Sequence, residues 1–414
     1  MGDKKKEINF KVNFPKGELN KMNHLRYFSF KIKVRRDIEF KKRLYQMNYI
    51  IIILIIILTP YIDCNQRKIN LNNNYIIIKI NKTGLSNIFG SANYINEPLK
   101  VKEIIINNIS QNDIKRIYDL NTNENEIKLI WDIKLTTTSS MFDTCKYIIE
   151  IDLSNFDASE VTEMNNMLCS CSSLTSINLS NMETSKVSNM LATFEDCQSL
   201  SSLYISNLDV SNVENTERMF QNCFALTSLD LSNFNKNKIK SMASMFCRAN
   251  LTFIDLSNFD TSHAINMERL FYECKNLVSI NFSNINTSEV TNMKEMFYGC
   301  TELVSLDLSN FDTSKVLSMD LMLCSCEKLI SLNISNFNTL KVKSMKYMFG
   351  SCFKLSSLEL SSFDTSQVEN MDEMSDDCQS LTTLYLSNFD TSKISNMKYM
   401  FFRFQFDIIG YITF

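Results

Sequence analysis

The chain is poor in the residues that punctuate, brace and catalyse. It holds seven glycines and three prolines in 414 residues. That scarcity leaves no glycine-rich phosphate loop and favours short, regular connections over the varied loops of a multidomain enzyme. Histidine is nearly absent, with only His24 and His263, so imidazole metal sites have no basis. A nucleophilic triad would depend on His263 alone, and His263 occupies a turn position filled by Lys315, Glu289 or Gln367 in neighbouring blocks. Excess positive charge is missing beyond the N-terminal arm. Fourteen Lys and Arg face five Asp and Glu in residues 1–46, while the net charge of the whole chain is −3. The remainder is therefore acidic, which excludes the basic, aromatic-interleaved face of a nucleic-acid binder. Together these absences argue for a non-enzymatic chain with no cofactor and no metal.

What is present is repetition. Leu303–Cys326 reads LVSLDLSNFDTSKVLSMDLMLCSC, and the sequence after Met141 restates it with small changes. Cys145, Cys171, Cys197 and Cys223 fall 26 apart, as do Cys274, Cys300, Cys326, Cys352 and Cys378. Between Cys223 and Cys274 the interval is 51, so one block has lost a residue near Arg248 and Ala249. A fixed period of this size is the signature of a solenoid.

Each block carries two hydrophobic rhythms. Around Leu306 and Leu308 polar and apolar residues alternate, the period of a half-buried strand. From Val316 the apolar residues Val316, Met319, Met322, Leu323, Cys326 and Leu329 follow a spacing of 3, 3, 1, 3, 3, which predicts one stripe on a short helix. Asp312, Thr313 and Ser314 between them supply side-chain acceptors for the free N–H groups of that helix. No block can bury its own apolar face, but stacked blocks can. The expected architecture is α/β: a leucine-rich-repeat-like solenoid of about ten 26-residue strand–turn–helix repeats, with a parallel sheet on one face and a small β-rich N-terminal cap.

The run L-x-x-L-x-L-S-N-F-D-T-S-x-V-x-x-M-x-x-M-F-x-x-C, spread over about residues 125–401, resembles the BspA-like leucine-rich-repeat surface proteins, a family met also in mycoplasma lipoproteins and protist surface proteins. The resemblance implies an exported, non-enzymatic cell-surface protein engaged in adhesion or recognition. It carries over no catalytic residue.

In chain order, residues 1–46 form a basic leader that runs into the apolar stretch 49–58, stopped by Pro60. Ten apolar residues match the hydrophobic region of a signal peptide and fall short of the roughly 20 needed to span a bilayer. Two readings of 47–64 stay open: a cleaved signal peptide with translation starting at Met47, or a short signal anchor behind a cytoplasmic arm, attached to the membrane through 49–58. Both place the repeats outside the cytosol. Residues 65–124, rich in Asn and Ile, read as the β-rich cap that shields the first repeat's edge. Ile127–Trp131 reads as the entry to the array. Residues 402–414 form an atypical tail, with Phe404 where a cysteine is due; it either folds back as a cap or marks a truncation.

Thirteen cysteines in an exported chain ordinarily signal disulfides. Here the column cysteines share the inward register of Met and Leu. Packed helices sit about 8–10 Å apart, beyond the roughly 7 Å Cα limit for a disulfide. The spacing therefore predicts buried free thiols. The turn column Asp157, Asp209, Asp260, Asp312, Asp364 and Asp390 reads as turn-capping, because Asn235, Asn286 and Asn338 replace it without charge.

One column varies while the buried ones repeat: the solvent-facing strand centre. It comprises Asp152, Asn178, Tyr204, Asp230, Asp255, Asn281, Asp307, Asn333, Glu359 and Tyr385. This is the expected ligand-binding face, for a protein or glycan partner at the cell surface. The rival expectation is a self-associating structural coat.

Overall fold

Ser305-Leu306-Asp307 forms a three-residue strand whose centre is buried and whose flanks are exposed. It pairs in parallel with Ser331–Asn333, in the register Leu306↔Leu332. Phe253–Asp255 pairs likewise with Ser279–Asn281, and Ser357–Glu359 with Thr383–Tyr385. Each pair joins residues one repeat apart, as a stack of coils requires. The computed structural model describes residues 6–9, 31–34, 74–90, 100–386 and 389–403. The chain divides into two units, Met1–Ile69 and Asn70–Phe414. In the first, Lys6–Asn9 and Lys31–Val34 pair antiparallel. The apolar run 49–58 and the tail from 404 lie outside the described residues. Among the described residues no helix is long and apolar enough to cross a membrane.

The expected helix is not formed, and this corrects the strand–turn–helix reading. The segment from Met319 to Cys326 is a pair of tight turns, Met319–Met322 and Leu323–Cys326, bridged by a third over Leu321–Cys324. Met322 N–H donates to Met319 O, Cys324 N–H to Leu321 O and Cys326 N–H to Leu323 O, each at 3.2 Å. An α-helix would close onto the fourth residue back. The intervening amides point along the solenoid: Met319, Leu321, Leu323 and Ser325 donate to carbonyls of Ser344, Lys346, Met348 and Gly350 in the next coil, at 2.8–3.0 Å. Local and inter-coil bonds thus alternate and satisfy every amide of the segment. Leu321 and Ser325, third in their turns, have φ of 55° and 60°, the left-handed conformation that a type II turn demands at that place. The same two columns recur along the array, from Ser140 and Thr144 to Tyr399 and Arg403. A three-residue turn puts Met319, Met322 and Cys326 on one side just as a helix does, so apolar spacing alone does not separate the two.

A second ladder runs beside the first. Ten successive parallel bridges link Thr137 to Glu163 and onward to Asn370 and Asn396. This column is continuous, whereas the strand column forms only separate pairs, interrupted at Leu203–Ile205 and Leu229–Leu231 and broken again between Asn281 and Ser305 and between Asn333 and Ser357. The blocks of Leu203 and Leu229 have Val210 and Lys236 where Thr184, Thr287, Thr313, Thr339 and Thr365 stand elsewhere. Thr313 is buried; its Oγ1 donates to Asn338 O at 2.9 Å and accepts Asn338 N–H at 2.8 Å.

The core is a set of identical columns. Phe194, Phe220, Phe246, Phe271 and Phe297 stack with centroid spacings of 5.5–5.8 Å and interplanar angles of 8–11°. Such pairs add about 0.5–1.5 kcal/mol each beyond their buried area. The described column cysteines are free and buried within the same core.

At the N-terminal end of the array, Tyr75–Asn81 pairs antiparallel with Ile148–Asp152, the first repeat strand, and covers the edge that strand would leave open. Ile127–Trp131, expected at the entry to the array, falls mostly in the strand Glu124–Ile130, which pairs antiparallel with Tyr75–Asn81 and with Glu103–Ile106. It belongs to the cap sheet, and the parallel register of the array starts at Thr137.

Candidate recognition surface

The strand-centre column is brought together where the strands pair. Asp152 faces Asn178, Asp255 faces Asn281, Asp307 faces Asn333, and Glu359 faces Tyr385 across their ladders. Tyr204 and Asp230 fall in the two unpaired blocks, outside any strand. Tyr204 is 80% exposed. Of Tyr385 the backbone alone is described.

Most of these side chains have a local task. Asp307 Oδ1 accepts the N–H of Ser309 at 3.0 Å, and the same bond joins Asp152 to Ser154, Asn178 to Ser180, Asp230 to Ser232, Asp255 to Ser257, Asn281 to Ser283 and Asn333 to Ser335 at 2.9–3.3 Å. Glu359 reaches Ser361 N–H through Oε1 at 2.9 Å. These are Asx-type turns that end the strand and start the corner. The donated backbone N–H of Ser232, Ser257 and Ser309 holds the carboxyls of Asp230, Asp255 and Asp307 below the usual carboxylate range. They therefore present fixed negative charge, and Asp255 and Asp307 are engaged in addition by Asn281 and Asn333 one coil on. Aspartate–serine spacing, visible in the sequence, was the signal for this turn role.

The turn column behaves the same way. Asp157, Asp209, Asp260, Asp312, Asp364 and Asp390 accept N–H of the serine two residues on. Among the described residues no group of three His, Cys, Asp or Glu gathers as a metal site. His263 is exposed, with Nδ1 3.1 Å from Ser262 Oγ.

The larger variable side chains lie instead on the double-turn face, which sequence reading assigned to a helix. Tyr272 and Tyr298 stack there at 4.9 Å and 11°. Arg269 donates through Nε to Glu295 at 2.7 Å, one coil on, and Arg248 to Glu273 at 3.0 Å. The column two residues before Cys223, Ala249, Cys274, Cys300 and Cys326 reads Gln221, Cys247, Tyr272, Tyr298, Cys324, half-buried at the glutamine and the tyrosines and buried at the two cysteines.

No curated protein matches the chain. Among solved structures, a chain of the crystal structure of the TLR13–ssRNA13 complex matches with a TM-score of 0.25 and 15% identity over 60% of this chain and 45% of that one. The match thus spans less than half of that chain. A family described as "Mycoplasma protein of unknown function, DUF285" matches residues 112–227, 136–253, 249–357 and 300–407, overlapping copies that run along the whole array. The chain belongs to this DUF285 family.

Proposed function

We propose that this chain is an exported cell-surface protein whose solenoid recognises a protein or glycan partner and performs no catalysis. The observation that carries the reading is the split within each coil: Leu, Phe, Met and Cys columns repeat in the core while exposed columns vary between neighbours. A frame that is constant inside and variable outside is how repeat solenoids present binding surfaces. Membership of a mycoplasma repeat family supports the BspA-like, leucine-rich-repeat-type relationship, with the double turn in the place of a helix. The basic arm ahead of the apolar run 49–58 supports delivery outside the cytosol.

Tyr204 is an exposed aromatic of the strand-centre column, and tyrosine is enriched among interface hot spots. Asp230 and Asp255 add fixed charge and a salt-sensitive on-rate toward a basic partner. In an adhesion assay on cells displaying the chain, Tyr204→Ala weakens binding by about 1 kcal/mol or more, with an unchanged melting temperature. Wild-type adhesion by this variant removes the strand face from the reading.

A self-associating coat is the second reading. Val278, Val304 and Ile330 form a stripe at one-repeat spacing and are 47%, 41% and 53% exposed. Concentration-dependent assembly in sedimentation velocity, abolished by Val304→Lys, puts the coat ahead; a monomer across the concentration range removes it.

A further inference from the structure

Beside the strand-centre column runs a second exposed column of the opposite character. Val278, Val304 and Ile330 hold one place in three successive coils, and all three are exposed. Bonds of 2.9 Å from Ile330 N–H to Val304 O and from Val278 N–H to Thr252 O keep this column in coil register. Phe253, exposed and paired with Ser279, carries the apolar surface one coil further back.

The neighbouring column is acidic. Asp255, Asp307 and Glu359 are exposed and stand in alternate coils, with Asn281 and Asn333 between them. Their hydrogen-bond partners are uncharged: the N–H groups of Ser257, Ser309 and Ser361, and the side chains of Asn281 and Asn333. Nothing in those bonds neutralises the three carboxylates. On the other side of the apolar stripe both signs are present, with Lys328 paired to Glu302 at 2.7 Å and Lys275 to Glu273 at 3.9 Å. The charge that a partner must match therefore lies on one side only.

The two columns repeat at different lengths, and together they select one partner backbone. Successive coils are about 4.8 Å apart, so four apolar places span about 14.4 Å and the carboxylates recur every ~9.6 Å. An extended strand returns a side chain to one face about every 6.6 Å and overshoots the fourth apolar place by about 5 Å. A polyproline helix returns one about every 9.3 Å, which meets the carboxylates but skips alternate apolar places. An α-helix with apolar residues at heptad spacing places four of them over about 15 Å, and one basic residue per heptad recurs at about 10.5 Å. The α-helix alone keeps step with both columns.

We propose that this face binds an amphipathic, cationic α-helix of a partner protein, laid along the solenoid axis. Its apolar stripe covers Phe253, Val278, Val304 and Ile330, and its Lys or Arg residues lie over Asp255, Asp307 and Glu359. The proposal rests on the recognition role given above and names the partner class for it.

The test titrates the purified full chain into labelled synthetic peptides and reads fluorescence anisotropy. The peptides are an amphipathic Leu/Lys helix, a scramble of the same composition, the same helix broken by central prolines, and a Leu/Glu helix. The expected result is saturable binding of the intact Leu/Lys helix alone. The double variant Val304→Ser with Ile330→Ser should weaken it about tenfold or more. Asp255→Asn with Asp307→Asn keeps acceptors for Ser257 and Ser309 and should flatten the salt dependence of binding. All four positions are exposed, and thermal melting reports folding of both variants. No saturable binding, equal binding of the scrambled or proline-broken peptide, or wild-type affinity in the Val304→Ser, Ile330→Ser variant overturns the proposal. So does self-association of the chain that is lost in that variant, since a second copy then covers the stripe. Absent peptide binding with intact adhesion of displaying cells removes the helical partner and leaves the recognition role standing; failure of both removes that role as well.

Discussion

Cys326 Sγ lies 3.3 Å from the carbonyl oxygen of Phe297, one coil earlier, and donates its S–H to it. The same thiol-to-carbonyl bond links Cys171 to Phe142, Cys300 to Phe271 and Cys378 to Phe349 at 3.1–3.2 Å. Cysteine is the residue that fits this column because it is small and apolar yet carries a weak donor. Each thiol caps a carbonyl that already closes a local turn, and so ties successive coils along the core.

These thiols are predicted to be inert in the folded chain. Burial pushes Cys223 up to about 12 and Cys326 well above the ordinary thiol range, and the thiolate is the reactive species. A thiol-reactive chromophore at pH 8 should label the folded protein only slowly. Labelling should reach nearly all cysteines in denaturant without reductant. Mass spectrometry showing mostly disulfide-linked peptides contradicts this assignment.

The left-handed positions make an opposite pair of expectations. Gly299 has φ +70°, and Ser325 holds the same place one coil on with φ 60°. A left-handed residue with a Cβ costs roughly 1–2 kcal/mol, part of which glycine returns as unfolded-state entropy. Ser325→Gly should therefore raise stability by up to about 1 kcal/mol. Gly299→Val should lower it by about 2 kcal/mol or more, since the new Cβ also meets Glu273 Cγ at 3.2 Å. Chemical denaturation of both variants measures the difference, and equal effects of one sign rule out the turn geometry.

Acid sensitivity follows from the capped aspartates. The hydroxyl and N–H of Ser314 and of Ser211 hold Asp312 and Asp209 below the usual carboxylate range, as backbone N–H groups do for Asp230, Asp255 and Asp307. A carboxyl depressed by folding contributes stability that is present above its unfolded value, about 3.9, and is lost as pH falls through the lower folded value. The melting temperature should drop on acidification below about pH 4. Asp312→Asn retains an acceptor for Ser314 N–H and should lessen the drop; an identical pH profile excludes this carboxylate from the linkage.

Inside and outside positions of one block should differ sharply. Leu306 is buried in the strand, and Leu306→Asp places an unpaired charge in the core at a cost of several kcal/mol, the upper end for single changes. Lys315 makes an exposed 2.7 Å ion pair with Glu289, one coil back, and Lys315→Ala should cost within about 0.5–1 kcal/mol. Similar losses in urea titrations of the two variants mean the faces are misassigned.

The strand register, the buried columns and the turn aspartates were legible because each recurs at 26-residue spacing and has a local cause. Leu306 alternates with serine and aspartate, and Asp312 precedes a serine whose N–H it accepts. The double turn was misread as a helix because Met319, Met322 and Cys326 have the spacing of both. A clue lay in the position before most column cysteines, where Ser170, Asp196, Asn222, Gly299, Ser325 and Asp377 are turn formers and poor helix-interior residues.

The sequence by itself determined that the chain is a stack of equivalent coils, since a 26-residue period forces each block to bury its apolar face against copies of itself. Only the tertiary structure decided how Met319–Cys326 is folded. Half of its amides find carbonyls in the next coil, and no local sequence rule registers a bond to a residue 25 positions away.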